Sequence, residues 1–303
     1  MDLVSDAISA VRVGRPSSTR LRVGGSWCAR LDPYEGAGFH VVLEGSCWMR
    51  TEGGSAVALA TGDAVLLPHG SGHVIADRPA DPATLAGAVD FAAWSRAAAP
   101  NSRTNSGDTE LLCGKYRLDR RHTHPLMADL PDLVHIPNRP GHHDELRAAI
   151  GLLGREVGAT HPGSAVALPS LLDLLLVYLV RAWMADSTTA RWPAALHDPV
   201  VAAALHALHE DPAAGWSNER LAAQVGVSRA TLARRFTALV GRAPMAYLTW
   251  WRLTRAAALL RTTPDALDAI APQVGYSTPY ALSHAFSRQY GTTPGRYRAG
   301  LTA

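Results

Sequence analysis

Between residues 10 and 137 the apolar positions come in short runs, Phe39–Leu43, Cys47–Met49, Ala56–Leu59, Ala64–Leu67 and His73–Ala76, set apart by Gly, Pro and Asp. Runs of that length and spacing predict the strands of a β-sandwich or small barrel. Ala92–Ser106, rich in Ala, Ser and Asn, reads as a loop. After Pro137–Gly141 the period changes. Leu146, Ile150, Leu153 and Val157 recur at helical spacing and predict an amphipathic helix over 142–158. A second helix is expected over 168–184, apolar on nearly every face from Leu171 to Leu179. A helix of that kind must be buried. Either a second copy of the chain covers it, making 142–184 a homodimer interface, or its own β-domain does, and the first reading is preferred. Asp186–Pro199, with Ser-Thr-Thr and two prolines, reads as a linker.

The last hundred residues contain an internal repeat. Leu221-Ala-Ala-Gln-Val-Gly226-Val-Ser is followed by Leu232-Ala-Arg-Arg-Phe236 and then Gly241-Arg-Ala-Pro244-Met-Ala-Tyr247. Ile270-Ala-Pro-Gln-Val-Gly275-Tyr-Ser, Leu282-Ser-His-Ala-Phe286 and Gly291-Thr-Thr-Pro294-Gly-Arg-Tyr297 repeat that order. Turn, core and stop signals in step twice over are far less accidental than one motif. Each copy predicts a short helix, a sharp turn at glycine and a second helix capped by a hydroxyl. In the first copy Leu221, Ala222 and Val225, then Leu232, Phe236 and Leu239, are the expected core. Ile270, Val274, Leu282 and Phe286 play that part in the second. What remains outside is Arg229, Ala230, Ala233 and Arg234 in one copy, and Pro279, Tyr280, Ser283 and His284 in the other. Such a face of a helix-turn-helix enters the major groove. Pro244–Arg261 reads as one long spacer helix, and Pro272 is expected to fall in the first turn of its helix or to kink it.

Charge agrees with that reading. The chain carries a net +3, but from Trp216 to Gly300 eleven Arg face three acids, 11 − 3 = +8, leaving 3 − 8 = −5 elsewhere. A basic unit joined to a mildly acidic one suits a polyanion-binding module with a separate partner domain. Three cysteines, Cys28, Cys47 and Cys113, are too few for a disulfide scaffold. No secretory leader is read at the start, and Asp173 and Arg181 bound an apolar run well short of the roughly 20 residues of a span. A reducing cytoplasm is the expected compartment.

Residues 198–300 resemble the AraC/XylS family of bacterial transcription regulators, most strongly from Ile270-Ala-x-x-Val-Gly-Tyr-Ser through Phe286-Ser-Arg-x-x-Gly-x-x-Pro294-x-x-Tyr-Arg298. The resemblance implies double-stranded DNA as partner, with RNA polymerase engaged downstream. Arg234 is expected at a guanine edge, with Tyr280 and His284 equivalent in the second half-site, and Arg235, Arg288 and Arg298 at phosphates. Ala230 and Ala233 offer only thymine-methyl contacts. Upstream, Gly62-Asp63-Ala-Val-Leu-Leu-Pro68-His-Gly-Ser-Gly-His73 resembles the second cupin motif, and His40-Val-Val-Leu-Glu-Gly45 the end of the first, without its His-x-His pair and Glu. The resemblance implies a sensor domain for a small molecule, metal or oxidant. The alternative is a metal-dependent cupin enzyme fused to a DNA-binding domain, which the incomplete ligand set disfavours.

The expected architecture is α+β in two domains: a cupin-like β-barrel over 1–140, a helical dimerisation or connector segment over 141–186, a linker over 187–197, and an all-α tandem helix-turn-helix domain over 198–303. His40, His73 and Cys113 are expected inside the barrel as an effector or metal site. Imidazole with thiolate suits zinc or another divalent metal, and a thiol beside a protonated imidazole would have a lowered pKa and meet oxidants readily. His122 and His124 lie near Cys113 in sequence and are candidates to complete the set. The competing reading is a buried thiol acting as a small hydrophobe beside hydrogen-bonded core histidines.

Overall fold

The computed structural model describes residues 3–52, 54, 56–79, 81–97, 109–118, 124–157 and 161–300. In chain order these form α1 (Leu3–Val11), β1 (Ser17–Val23), β2 (Cys28–Leu31), β3 (Ala37–Glu44), β4 (Ser46–Thr51), β5 (Ala56–Ala60), β6 (Ala64–Leu67), β7 (His73–Ala76), α2 (Pro82–Ala86), β8 (Val89–Asp90), α3 (Phe91–Ala97), β9 (Thr109–Tyr116), α4 (Pro125–Asp129), β10 (Val134–Ile136), α5 (Asp144–Glu156) and α6 (Ser164–Asp186). Helices follow: α7 (Arg191–His197), α8 (Pro199–Glu210), α9 (Asn218–Gln224), α10 (Arg229–Val240), α11 (Pro244–Thr262), α12 (Leu267–Gln273), α13 (Pro279–Tyr290) and α14 (Pro294–Ala299). Two compact units gather them, Arg12–Arg120 with Leu130–Ser187, and Met1–Val11 with Arg121–Asp129 and Thr188–Ala303. The second unit therefore draws α1 and α4 from early in the chain, where the sequence reading had contiguous blocks.

In the β-rich unit one sheet has the order β1-β9-β3-β6-β10 and the other β5-β4-β7-β2-β8. Alternate residues such as Leu21, Val42, Met49, Leu59, Val65, Ile75 and Leu111 fill the space between them. β3 is buried on both faces over most of its length, which is why Phe39–Leu43 is a continuous apolar run rather than an alternating one. Its other face is covered by α5 and α6. Arg20 donates to the Gly154 carbonyl at 2.7 Å, and the Tyr116 hydroxyl to the Leu172 carbonyl at 2.7 Å, pinning both helices to the sheet. The Gly62-Asp63 turn is a structural clamp. Gly62 has φ +87°, and the Asp63 carboxylate accepts from the backbone N–H groups of Ala60 and Asn138. At Gly70, φ +58°, a Cβ would lie 2.2 Å from the Tyr34 carbonyl oxygen, so no side chain fits.

Three expectations need correction. Phe91–Ala97 is helical rather than loop, because Asp90 accepts from the Ala93 N–H and starts the turn, while 98–106 lie outside the described residues. The expected linker contains α7, whose Trp192 is buried and whose Trp192 N–H donates to the Asp129 carboxylate at 2.8 Å. And α6 is not buried all round. Leu172, Leu175, Leu176 and Leu179 face the core, whereas Val166 is 74% exposed and Leu174 37%. By length and composition α6 is also the one described helix able to cross a membrane, a test that core helices of soluble proteins also pass.

Candidate nucleic-acid interface and effector pocket

Each repeat copy builds the same local geometry from its own caps. The Ser217 hydroxyl accepts from the Arg220 N–H and starts α9, and the Ser228 hydroxyl accepts from the Thr231 N–H and starts α10. Gly226, φ +70°, turns the chain between them. In the second copy Gly275, φ +81°, makes the turn, the Thr278 hydroxyl accepts from the Ala281 N–H, and Pro279 occupies the first turn of α13. Leu221, Leu232 and Phe236, like Ile270, Val274, Leu282 and Phe286, are fully buried. Val240 completes the first stripe where Leu239 was expected, and Leu239 and Val225 are only half-buried. Pro272 sits in the last turn of α12, not the first, and leaves the Asp268 carbonyl without its helical donor. The spacer α11 has 19 residues, about 28 Å at 1.5 Å per residue.

The outer faces carry the candidate readers. On α10, Arg229, Ala230 and Arg234 are exposed and Ala233 is half-buried. On α13, Tyr280 is 80% exposed, His284 and Arg288 are exposed, and Pro279 and Ser283 are half-buried. Two arginines expected at phosphates are half-buried and bonded within the fold. Arg235 donates to the Asp198 carboxylate that caps α8, at 2.5 and 3.1 Å, and Arg298 donates to the carbonyls of Leu260 and Asp265, at 3.2 and 2.6 Å. Arg229 is paired with Glu219 at 2.6 Å, where both are exposed.

In the β-rich unit the structure brings His40, Cys113 and His73 together. Cys113 lies directly across β9 from His40 on β3, and the Sγ is 3.0 Å from His40 Nδ1. His73 reaches over from the opposite sheet, with 2.8 Å between the Nε2 atoms, and its Nδ1 lies 2.8 Å from the Ser71 carbonyl oxygen. That carbonyl only accepts, so His73 Nδ1 carries a proton and the neutral ring offers Nε2 as acceptor. His40 Nε2–H then donates to His73, and His40 Nδ1 receives the Cys113 S–H. The three groups form a directed chain of neutral donors. Burial, then the nearby His73, holds His40 well below the ordinary imidazole range, and burial lowers His73 while the Ser71 bond opposes it. Burial raises Cys113, with Cys47 adding to it, and Cys47 itself is pushed up to about 12. The expected thiolate beside a protonated imidazole is therefore overturned, because desolvation disfavours both charges.

These residues do not fit a resting metal. Both nitrogens of each ring are already engaged, and no group of three or more His, Cys, Asp or Glu among the described residues is disposed to hold an ion. His122 lies outside the described residues. His124 belongs to the other unit, among Trp192, Tyr247 and Trp250. What lies beside the chain is a cleft of about 410 Å³ at the barrel mouth, floored by His40 and Cys113 and walled by Leu31, Tyr34, Phe91 and Lys115.

Residues 2–185 match the Cupin family, and residues 221–300 match a helix-turn-helix domain family. An AraC-like transcription regulator of Streptomyces lividans is 35% identical over 302 residues, 98% of each chain. The chain belongs to the AraC family of transcription regulators. A second AraC-like regulator, from Streptomyces antibioticus, is also 35% identical over 98% of each chain. Among solved structures, the DNA-binding domain of AdpA in complex with a target DNA is 37% identical, covering 34% of this chain and 92% of that one at a TM-score of 0.32. As an AraC-type regulator the protein binds DNA through its helix-turn-helix unit. α1, which shows no family motif, was missed by the sequence reading. Its Asp6 carboxylate is 2.9 Å from Nδ1 of the buried His209, whose Nε2 is 2.7 Å from the Tyr247 hydroxyl in the same unit. No local pattern signals a partner 203 positions away.

Proposed function

We propose that the protein reads its operator with α10 and α13 and that a small molecule entering the barrel mouth controls this binding. The observation that carries the sensing half is the cleft itself, an open site of ligand size whose floor is a buried polar chain rather than a packed apolar core. Arg234 is the principal base reader of the first half-site, and Tyr280 with His284 serve the second. Arg288 touches phosphate. Arg229, Ala230 and Ala233 border the groove, with Pro279 and Ser283 on the facing helix. A homodimer through the exposed side of α6, around Val166 and Leu174, adds avidity, and RNA polymerase is the downstream partner in the cytoplasm. Among the described residues no group of His, Cys, Asp or Glu forms the ligand set that the enzyme reading needs.

The test is thermal denaturation of the full-length protein against a panel of small organic molecules, followed by operator affinity. A binding compound is expected to raise Tm and change affinity in the wild type but not in Ala92→Trp, which fills the mouth from an exposed lining position. A response that persists in Ala92→Trp places the effector elsewhere.

A further inference from the structure

A general base in hydrogen-bond contact with a thiol, itself oriented by a third group, is the arrangement that activates a nucleophile. Cys113, His40 and His73 have that order and spacing, 3.0 and then 2.8 Å, and the thiol and its base both line the open cleft although each is only 3% exposed. We propose that Cys113 captures soft electrophiles of the α,β-unsaturated carbonyl class at the barrel mouth, with His40 as its base. This rests on the reading of the cleft as the effector site and names what enters it.

The register supplies the other parts. Thr19 lies across β1 from Cys113, and Lys115 is two residues further along β9, so both share its face and lead outward from the sulfur to the rim. Both line the cleft and supply a hydroxyl and an ammonium as donors for a carbonyl oxygen, while Leu31, Phe91 and Ala92 offer an apolar wall for the carbon skeleton. A cleft of about 410 Å³ suits an organic molecule and is far larger than a peroxide or hypohalous acid requires.

The step balances without a further reagent. Sγ bonds to the β-carbon, the carbon–carbon π bond breaks, and its electron pair moves into the enolate. The thiol proton passes to His40 Nδ1, and His40 Nε2–H passes its own to His73 Nε2. Solvent or Lys115 then protonates the α-carbon, and the relay returns its proton to water. The product is a thioether carrying the whole electrophile. His73 borders a second cleft, lined by Arg30, Asp32, Arg50 and Glu52, through which the relayed proton reaches water on the side away from the reacting carbon.

The experiment treats full-length protein with trans-cinnamaldehyde, fixes adducts with borohydride and maps them by mass. Exposure alone ranks Cys28, half-buried, ahead of the buried Cys113 and Cys47. The proposal predicts the reverse, with Cys113 modified first and the native mass raised by one intact reagent before reduction. His40→Gln should slow labelling of Cys113 by roughly a hundredfold while urea-unfolded wild type and variant label alike. Ala92→Trp, at an exposed position, should slow it with the relay intact. Labelling of Cys28 first, or an unchanged rate at Cys113 in a folded His40→Gln protein, overturns the proposal, as does mass gain by oxygen atoms alone. Operator affinity on the same samples separates the two readings. An adduct at Cys113 with unaltered affinity defeats the sensor and leaves the capture, whereas altered affinity with Cys113 unmodified does the opposite.

Discussion

Arg234 and Arg298 look alike in sequence but have different surroundings in the structure. Arg234 stands exposed on the outer face of α10, so Arg234→Ala should weaken operator binding by about 1–3 kcal/mol and relax preference at one base, with Tm unchanged. Arg298 spends its guanidinium on the carbonyls of Leu260 and Asp265, so Arg298→Ala should lower Tm first, with affinity at 25 °C much less affected. The equal loss of affinity in both would contradict this division. Core positions of the repeat were legible because glycine, hydroxyl caps and apolar spacing are local signals. Carbonyl partners are not local, and nothing around Arg298 announces them. His40, His73 and Cys113 were legible as one candidate site, but the His40–Cys113 pairing across β3 and β9 and their protonation were not, since register and desolvation depend on the finished core. Burial keeps His40 and His124 neutral in the fold, below the ordinary value of 6.5. The unfolded chain binds the protons that the folded one excludes, so their contribution is full above about pH 6.5 and is lost as pH falls. Tm should hold from pH 8 to 7 and decline below 6.5, and a flat profile down to pH 5 would count against neutral burial.

At the scale of elements, the recognition helices depend on single hydroxyls. Ser228→Ala and Thr278→Ala should each cost about 1 kcal/mol, read as a lower denaturant midpoint at unchanged slope. α1 is a less expected support. It belongs to the DNA-binding unit, where Asp6 satisfies Nδ1 of His209, His209 stacks on Trp251 at 4.1 Å, and the bonded Tyr247 packs on Phe236 of α10 at 5.7 Å. Asp6→Ala strands a buried donor and should destabilise by about 1–3 kcal/mol, and a variant as stable as wild type would sever this link. The strands β3 to β7 and the helices α5, α6 and α9 to α13 could be read from pattern. α1, α3 and α7 could not, because each is short and held by tertiary partners such as Asp129 at Trp192 rather than by its own periodicity.

For the whole molecule, the exposed apolar side of α6 and the excess of +8 over Trp216–Gly300 set two expectations. Sedimentation of the full-length protein should show a dimer at tens of micromolar, and Val166→Glu with Leu174→Glu should yield a folded monomer. Operator affinity should fall steeply with salt through released counterions, and removing exposed Arg288 should lower that slope by about one unit. The central claim is that two recognition helices, spaced by α11, read one face of the duplex. Hydroxyl-radical footprinting of the full-length protein on its selected operator tests it most directly. Two protected patches about one helical turn apart are predicted, with Arg234→Ala erasing the first and the double variant Tyr280→Ala, His284→Ala the second. A single patch, or protection indifferent to both variants, would contradict the account.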